Sequence, residues 1–311
     1  MDKIRIGVAH RGAGVAPMFA ALEGGYLKKH GLEPELISTP GHPRALQALQ
    51  AGEVDFINTV GAELIQFDVR HGGDAVVIAS AISRSAQQVS ARPGLTTRDQ
   101  LRGKRWGVVN RGDADECAIA MAFERWNWDL AKDARIVPVG PARPRLEALL
   151  DESRIDAVIM HAPEPFQAAK KGWNAVEDLG RLYYAFQNSC AATTRRLLQQ
   201  RPETALRYAS AYCEGVYRFR TDAKFGKGVL LKYGNETDPR VIEQSWVLFA
   251  RLMGGLMFPS VEGIRMAVHI LHKLGVIPEL VPPESFVDLN PVARAEREGL
   301  FERFMGVAPQ S

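Results

Sequence analysis

The chain repeats part of its own sequence at a nearly constant offset. Residues 5–12, RIGVAHRG, match residues 105–112, RWGVVNRG, after a shift of 100. Residues 43–55, PRALQALQAGEVD, match residues 144–156, PRLEALLDESRID, after a shift of 101. An offset that barely changes over this much sequence is not expected by chance, and such self-similarity predicts two units of similar structure.

Each copy has the same order of predicted elements. A strand and a glycine-containing turn precede a helix, and a second strand, a helix that begins with Pro-Arg and a third strand follow. The predicted strands are residues 4–9, 34–39 and 54–58 in the first copy and 105–109, 134–140 and 155–160 in the second. Strands that alternate with helices predict βαβ units and parallel sheets.

The segments outside the two copies predict a hinge and a helical end. Strands are predicted at 76–82, 87–91 and 181–193, with crossings between the lobes near 88–92 and 186–190. From about residue 200 the apolar spacing predicts helices. We therefore predict an α/β fold with two Rossmann-like lobes, a hinge and C-terminal helices. The expected division is 1–88 for the first part of lobe I, 89–189 for lobe II, and 190–311 for the return to lobe I and the C-terminal helices.

Composition is that of a globular protein and excludes several function classes. The net charge is +3, and no basic run is long enough to predict nucleic-acid binding. Cys117, Cys190 and Cys213 lie far apart, so neither a disulfide framework nor a zinc motif is predicted. We expect a monomer without a cofactor.

The amino terminus, MDKIRIGV, begins a strand pattern at once and shows no secretory leader. No apolar run approaches the ~20 residues of a membrane span. Two locations stay open: the periplasm if a leader was removed, and the cytoplasm if Met1 is the native start.

Four phrases carry a resemblance to a known family: GYLKKHGLEPELI, ALQAGEVDF, TRDQLRGKRWGV and RIDAVIMHAPEPF. In this order and spacing they resemble the nitrate/sulfonate/taurine-binding branch of the type II solute-binding proteins, a branch that includes thiamine-pyrimidine precursor synthases. The resemblance covers residues 3–295. It implies a periplasmic binding protein-like type II fold, a small ligand clamped between the lobes, and an ABC permease as partner.

The chain departs from the pyrimidine synthases of that branch. Those enzymes carry a cysteine-rich motif, together with a cofactor-binding lysine and a histidine after the third strand. Here the corresponding turn is NTVGAELIQ, residues 58–66, which has neither residue, and the cysteines do not cluster. Their chemistry is therefore not expected.

Candidate site residues follow the strands, because ligands of open parallel sheets bind beyond the carboxyl ends of the strands, where helix N-termini also point. The predicted ligand-binding residues are His10, Arg11, Gly12, Asn58, Thr59, Asn110, Arg111, Gly112, Asp113, His161, Glu164, Asn188 and Ser189. Glu63 corresponds to Glu164 in the repeat, and Arg84 and Arg92 lie near the first crossing.

Several of these candidates have a second interpretation. His10 and His161 either face the cleft or lie on the surface, where His10 would cap the next helix. Glu63 and Glu164 either contact the ligand or lie in the first turn of a helix, where the helix dipole favours a carboxylate; we prefer the helix interpretation.

Two further patterns have a structural interpretation that we prefer. Tyr183, Tyr184 and Phe186 could stack on a ring-shaped ligand, but such aromatic residues more often belong to the core. His269 and His272 have a spacing that can hold a metal ion. No third ligand is visible nearby, so no metal site is predicted.

Arg11 and Arg111 occupy equivalent positions in the two copies. A facing pair would suit a carboxylate or sulfonate through bidentate contacts; alternatively, both point to solvent or pair with acids. Asp113, Asp115 and Glu116 crowd the second helix start, where anion-binding relatives typically have small hydroxyl residues. This departure argues against sulfonate and nitrate and leaves a neutral, zwitterionic or cationic ligand open.

The leading functional hypothesis is the substrate-binding component of an ABC-type importer, which closes on its solute by hinge motion. The alternative is an enzyme on the same scaffold, an isomerase, decarboxylase or other proton-transfer enzyme acting on a small carboxylate or heterocycle. In that case His10, His161, Glu164 and Cys190 are the candidate catalytic residues. A regulatory or sensor module is a third hypothesis.

Overall fold

The computed structural model describes residues 1–140, 147–148 and 154–305. The repeat positions Pro144, Arg145 and Leu150 lie outside the described residues. The ten described strands are β1 (Asp2–Val8), β2 (Leu32–Ser38), β3 (Phe56–Thr59), β4 (Ala75–Ser80), β5 (Gln88–Ala91), β6 (Lys104–Val108), β7 (Ala134–Pro138), β8 (Ala157–Met160), β9 (Asn174–Asp178) and β10 (Cys190–Thr194).

Fourteen α-helices lie within the described ranges. They are α1 (Ala16–Glu23), α2 (Tyr26–Lys29), α3 (His42–Gln50), α4 (Gly61–His71), α5 (Ala114–Arg125), α6 (Leu130–Asp133), α7 (Glu164–Lys170), α8 (Arg195–Gln200), α9 (Pro202–Thr221), α10 (Ala223–Tyr233), α11 (Pro239–Leu252), α12 (Val261–Lys273), α13 (Asn290–Arg297) and α14 (Leu300–Met305). The helices predicted after residue 200 are therefore present.

The strands form two five-stranded sheets of the same topology. Their orders are β2-β1-β3-β10-β4 and β7-β6-β8-β5-β9. In the first sheet β1 pairs in parallel with β2 and β3, and β10 runs antiparallel to β3 and β4. In the second sheet β6 pairs in parallel with β7 and β8, and β5 runs antiparallel to β8 and β9. The prediction of two related α/β units is confirmed; the first and second lobe below are these sheets with their helices.

The two lobes exchange one strand each. β5 lies between the two sequence copies but belongs to the second sheet, and β10 follows the second copy but belongs to the first sheet. The chain therefore crosses between the lobes twice, within residues 81–87 and 179–189. The exact division at 88/89 and 189/190 stays a prediction.

Three details of the prediction were wrong. The first crossing, expected near 88–92, lies within residues 81–87, because Gln88–Ala91 already forms β5 of the second sheet. The return strand, expected over 181–193, begins only at Cys190, and Leu179–Leu182 forms a 3-10 helix instead. Residues 174–178 form β9, for which no strand was predicted. β9 is an edge strand whose residues are only half-buried or exposed, so it lacks the apolar run that marks the buried strands.

The repeated Asp anchors the same two strands in each lobe. Asp55 Oδ2 accepts a hydrogen bond from the backbone N–H of Arg5 at 2.7 Å, and its Oδ1 pairs with the Arg5 guanidinium at 3.1 Å. Asp156 does the same with Arg105, at 3.0 Å from the backbone nitrogen and 2.9 Å from Nε. Each carboxylate therefore ties the amino end of the third strand of its copy to the first.

The repeated glycines have equally matched surroundings. A Cβ atom at Gly7 would lie 3.0 Å from Ile57 and 3.1 Å from Thr39 Oγ1. A Cβ atom at Gly107 would lie 3.2 Å from Val158 and 3.3 Å from Val139. Neither site has room for a side chain without a shift of its neighbours, so the chain segments approach closely at both. Thr39 takes the place of Val139, and its hydroxyl is buried without a hydrogen-bond partner among the described residues.

The C-terminal helices complete the first lobe. Helix α9 packs against α1, and its Tyr208 ring stacks on Phe56 with centroids 3.8 Å apart. Helix α12 packs against α4 and also reaches α5 of the second lobe. Within the described ranges, no helix is long and apolar enough to cross a membrane.

Candidate functional site

Three histidines from three strand ends come together between the lobes. His10 follows β1, His42 begins α3 directly after β2, and His161 follows β8 of the second lobe. The rings of His10 and His42 meet edge to face, with centroids 5.1 Å apart. His161 lies close enough to lower the pKa of both. We call these residues the histidine cluster and the space between the lobes the cleft.

The two first-lobe imidazoles are uncharged at neutral pH. Burial, and then the neighbouring His42 and His161, lower the pKa of His10 to about 3. Burial, and then His161, lower the pKa of His42 to about 4. Desolvation disfavours the charged form of an imidazole. A neutral imidazole has one N–H donor and one nitrogen acceptor, so the cluster can bind polar groups without supplying charge.

Sequence reasoning found His10 and His161 but missed His42. The Nδ1 atom of His42 lies 3.2 Å from the Thr59 hydroxyl oxygen, which fixes the ring at the end of β3. A signal was present, because His42 directly precedes the Pro43-Arg44 pair at the end of a predicted strand. That is the same type of position that identified His10.

Asn58 and Ser189 are buried beneath the turn that carries His10. Asn58 Nδ2 donates to the backbone oxygen of Gly14 at 3.2 Å, and Ser189 Oγ donates to the same oxygen at 2.6 Å. The Tyr212 hydroxyl donates to Asn58 Oδ1 at 3.0 Å. Asn58 is 3% exposed and Ser189 is 1% exposed. These contacts hold the turn after β1, and a direct ligand contact by either residue stays a prediction.

Cys190 and Asn188 lie at the end of the second crossing, where the chain returns to the first lobe. The Cys190 thiol is fully buried and donates to the backbone oxygen of Thr59 at 3.3 Å. Burial raises the pKa of this thiol well above its usual range. Asn188 Nδ2 donates to Gln87 Oε1 at 3.3 Å and so links the two crossings. The geometry gives no support for proton transfer by Cys190.

Glu63 of the first lobe meets the start of α5 in the second lobe. Its Oε1 atom accepts a hydrogen bond from the backbone N–H of Ala114 at 3.3 Å. Its Oε2 atom is buried and has no hydrogen-bond partner among the described residues. Burial raises the pKa of Glu63 to about 7. Glu63 lies in the first turn of α4, as the preferred interpretation expected, yet it reaches across the cleft.

Gly112 lies at a second contact between the two lobes. Its φ of +75° is in the left-handed region, and a Cβ atom there would lie 2.6 Å from Gln66 Nε2 and 2.7 Å from Val276. Gln66 Nε2 donates to the Gly112 oxygen at 3.3 Å. Only glycine suits this backbone conformation at this distance. Gly112 therefore allows the lobes to approach each other.

Helix α5 begins with a capping carboxylate. Asp113 is the N-cap: its carboxylate accepts from the N–H of Glu116 and from the N–H of Asn110, both at 2.8 Å. Burial, and then the charge of Asp115, raise the pKa of Asp113. A capping carboxylate of this kind stabilises the helix.

Of the two predicted arginines, Arg111 is paired with a carboxylate, whereas Arg11 is exposed to solvent. The Arg111 guanidinium pairs with Glu116, with contacts of 2.9 Å and 3.1 Å, and the Gly112 N–H donates to the same carboxylate at 2.6 Å. Arg11 is exposed, as are Asn110 and Arg111. The alternative of pairing with an acid therefore describes Arg111, and a ligand contact by Arg11 stays a prediction.

The remaining candidates lie around this centre. Glu164 is buried and begins α7, where its backbone N–H donates to the His161 oxygen at 3.3 Å. Arg84 donates to the backbone oxygen of Arg251 at 2.7 Å, and Arg92 pairs with Asp156 at 3.2 Å. Gly12, in extended conformation, lies beside the His10 ring.

The aromatic residues before the second crossing and the histidine pair of α12 do not belong to the histidine cluster. Phe186 is fully buried in the core, as we preferred, whereas Tyr183 is 77% exposed. His269 lies on the exposed face of α12, 3.7 Å from Glu124. In the part of the chain that the structure describes, no three His, Cys, Asp or Glu side chains are grouped to hold a metal ion.

Comparison with known proteins agrees with this architecture. Residues 2–227 match the NMT1-like family, and a search of curated proteins gives no match. The ligand-binding component of an ABC-type import system from Staphylococcus aureus, solved with zinc bound, is 15% identical with a TM-score of 0.78, over 95% of this chain and 99% of that one.

Two further structures are similar. The alkanesulfonate-binding protein SsuA from Xanthomonas axonopodis pv. citri, bound to MOPS, is 15% identical with a TM-score of 0.75, over 93% of this chain and 99% of that one. The desulfurization enzyme DSZB, solved as a mutant in complex with biphenyl-2-sulfinic acid, is 15% identical with a TM-score of 0.67, over 96% of this chain and 99% of that one. At these identities the likeness shows the fold, which is the type II periplasmic binding protein fold.

Proposed function

The chain belongs to the NMT1-like family, and we propose that it binds a small organic molecule in the cleft between its two lobes. One observation carries this proposal: His10, His42 and His161 meet there from three strand ends and from both lobes. Packing of the hydrophobic core does not require polar side chains from both lobes to converge. Ligand sites in such folds lie beyond the carboxyl ends of the strands and contain a few convergent polar groups.

The more specific role that we propose is delivery of the molecule to an ABC permease. The two crossings form a hinge of two connected segments, which suits closure of one lobe on the other around a ligand. Structures with this fold include a component of an ABC-type import system and a sulfonate-binding protein. The permease and the identity of the solute are part of the proposal.

The second candidate function is an enzyme that transfers protons in the same cleft. The fold also occurs in the desulfurization enzyme DSZB, and the imidazoles of His10 and His42 are neutral, as a general base must be. His10, His161 and Glu164 would then act on a small carboxylate or heterocycle.

Native mass spectrometry of the purified protein tests the proposal first, because it detects and weighs a bound molecule. The molecule is then incubated with excess protein and examined for a product. For a binder, His10→Ala and His161→Ala should each weaken binding by about 1–3 kcal/mol, because a buried polar group loses its partner. For an enzyme, the same changes should lower turnover by about 10²–10⁴-fold and leave affinity nearly unchanged.

His269→Ala is the matched control. This histidine is exposed on α12, outside the cleft, so its removal should change neither binding nor turnover. If His10→Ala and His161→Ala behave like His269→Ala, the cleft proposal is contradicted.

A further inference from the structure

The first turn of a helix has backbone N–H groups without partners inside the helix, and these groups commonly form an anion-binding site. Helix α5 begins at the cleft, but carboxylates of this chain already accept from N–H groups in its first turn and just before it. Glu63 accepts from the N–H of Ala114, Asp113 from that of Glu116, and Glu116 from that of Gly112. An oxyanion bound here would have to displace a carboxylate and lie next to others.

Of the four basic side chains Arg11, Arg111, His10 and His42, the last three do not offset those charges. Arg111 is paired with Glu116, and Arg11 is exposed to solvent. His10 and His42 are held neutral by burial. Of these four residues only the exposed Arg11 can offer a sulfonate or carboxylate a charge to offset its lost hydration, and solvent screens such an exposed cation.

Glu63 differs from Asp113 and Glu116 because one of its oxygens has neither a hydrogen bond nor an ion pair within the described residues. Its Oε1 atom binds the Ala114 N–H, while Oε2 is buried and accepts no hydrogen bond within the described chain. A buried acceptor without a partner costs free energy until a donor reaches it. Glu63 belongs to the first lobe and its partner N–H to the second, so this carboxylate lies where the two lobes meet.

We infer that Glu63 determines specificity: it excludes oxyanions from the cleft and selects a ligand that presents a protonated or N–H-bearing nitrogen to its free Oε2 atom. The inference rests on the proposed ligand-binding function and names the chemical class of its ligand. It assigns a role to a residue that would otherwise be read as an ordinary first-turn carboxylate.

The test uses two probes of equal length and opposite charge, propylammonium and propane-1-sulfonate, titrated by calorimetry at pH 8, where Glu63 is charged, into the wild-type protein and two variants. Glu63→Gln removes the charge and keeps the volume. Glu262→Gln is the matched control, because Glu262 also lies in the first turn of a helix but is 61% exposed and outside the cleft. Circular dichroism verifies that each variant is folded.

We expect the wild-type protein to bind propylammonium more tightly than propane-1-sulfonate. Glu63→Gln should weaken propylammonium binding by about tenfold, the loss of one charge-assisted hydrogen bond, and Glu262→Gln should leave it unchanged. If the sulfonate binds as tightly as the ammonium probe or more tightly, or if the two variants behave alike, the inference is overturned. Sulfonate binding that His161→Ala abolishes would overturn only this inference and leave the cleft as a ligand site.

Discussion

At the amino ends of their third strands the two lobes are built alike, whereas beyond the carboxyl ends of their first strands they differ at one position. Asp55 and Asp156 make the same contacts with Arg5 and Arg105, within a few tenths of an ångström. At the opposite end, His10 of the first lobe corresponds to Asn110 of the second, which is exposed.

The difference shows which positions the fold needs and which the ligand needs. An ion pair that fastens two strands is required in any copy of this sheet, so the repeat preserves it. His10 lies beyond the strand end, where strand pairing does not dictate the residue, and here the two copies differ, although Arg11 and Gly12 recur as Arg111 and Gly112. Substitutions at both ends of the lobes can test this contrast.

Removal of either anchoring carboxylate should have the largest effect on stability. Asp156→Ala leaves the N–H of Arg105 and two guanidinium groups without their partner, and we expect a loss of about 2–4 kcal/mol. Asp55→Ala should cost somewhat less, since Arg5 is more exposed than Arg105, 42% against 27%. Urea unfolding measures both, and Glu53→Ala, at an exposed pair with Arg44, should change little.

The same pair predicts how acid affects the protein. The hydrogen bond from Arg105 holds the pKa of Asp156 below its usual range. A lowered pKa means that the stabilisation is present above the ordinary Asp pKa of about 4 and is lost as the pH falls below it. The difference between wild type and Asp156→Asn should therefore shrink in acid; a constant difference would contradict the ion-pair explanation.

The matched glycines should respond to the same change by similar amounts. Gly7→Ala and Gly107→Ala each place a Cβ atom about 3 Å from neighbours, and we expect a loss of about 1–3 kcal/mol in each case. Gly228→Ala is the control, since nothing lies within 4 Å of its Cβ position and alanine favours a helix. If one lobe tolerates alanine and the other does not, the two cores are less alike than their distances indicate.

The cleft end of the first lobe should lose stability as the pH rises. Burial raises the pKa of Glu63 to about 7, so the folded protein binds this proton more tightly than the unfolded chain. Its charging therefore lowers stability between about pH 4 and pH 7. Glu63→Gln should be more stable than wild type at pH 8, by about 1–2 kcal/mol. At pH 4 thermal melts should show no difference; an equal difference at both values would rule out this carboxylate as the cause.

The smallest effect is expected where the second copy replaces a hydroxyl by a methyl group. Thr39 Oγ1 is buried without a partner among the described residues, and Val139 has the equivalent place in the second lobe. Thr39→Val should stabilise by about 1 kcal/mol, and Val139→Thr should destabilise by about the same amount. Thermal unfolding measures both changes. If Thr39→Val is destabilising, the hydroxyl has a partner, such as a water molecule or the ligand.

The fold could be predicted from the sequence because its evidence is local. The alternation of strands and helices and the apolar spacing of the C-terminal helices are patterns of neighbouring residues. The repeat compares two such local patterns about 100 residues apart. The late start of β10 was not predictable in this way, since Phe186 has the hydrophobicity of a strand residue and is buried in the connection instead. β9 was not predicted because it has no apolar run, although it forms a strand.

The site could be predicted only as a set of strand ends. Successive side chains of a strand point to opposite faces, so position at a strand end does not decide between cleft and core. His10 and His161 reach the histidine cluster, whereas Asn58 and Cys190 are buried in the core. The contact of Glu63 with Ala114 depends on how the lobes approach each other, which no local pattern records.

The exchange of β5 and β10 has a consequence for the order in which a ribosome makes the protein. The second sheet has all its strands once residue 178 has been added, since β5 precedes the other four. The first sheet must wait for β10, which ends at Thr194 and lies between β3 and β4. The lobe whose synthesis begins first is therefore completed last, and until then β3 and β4 emerge without the strand that separates them.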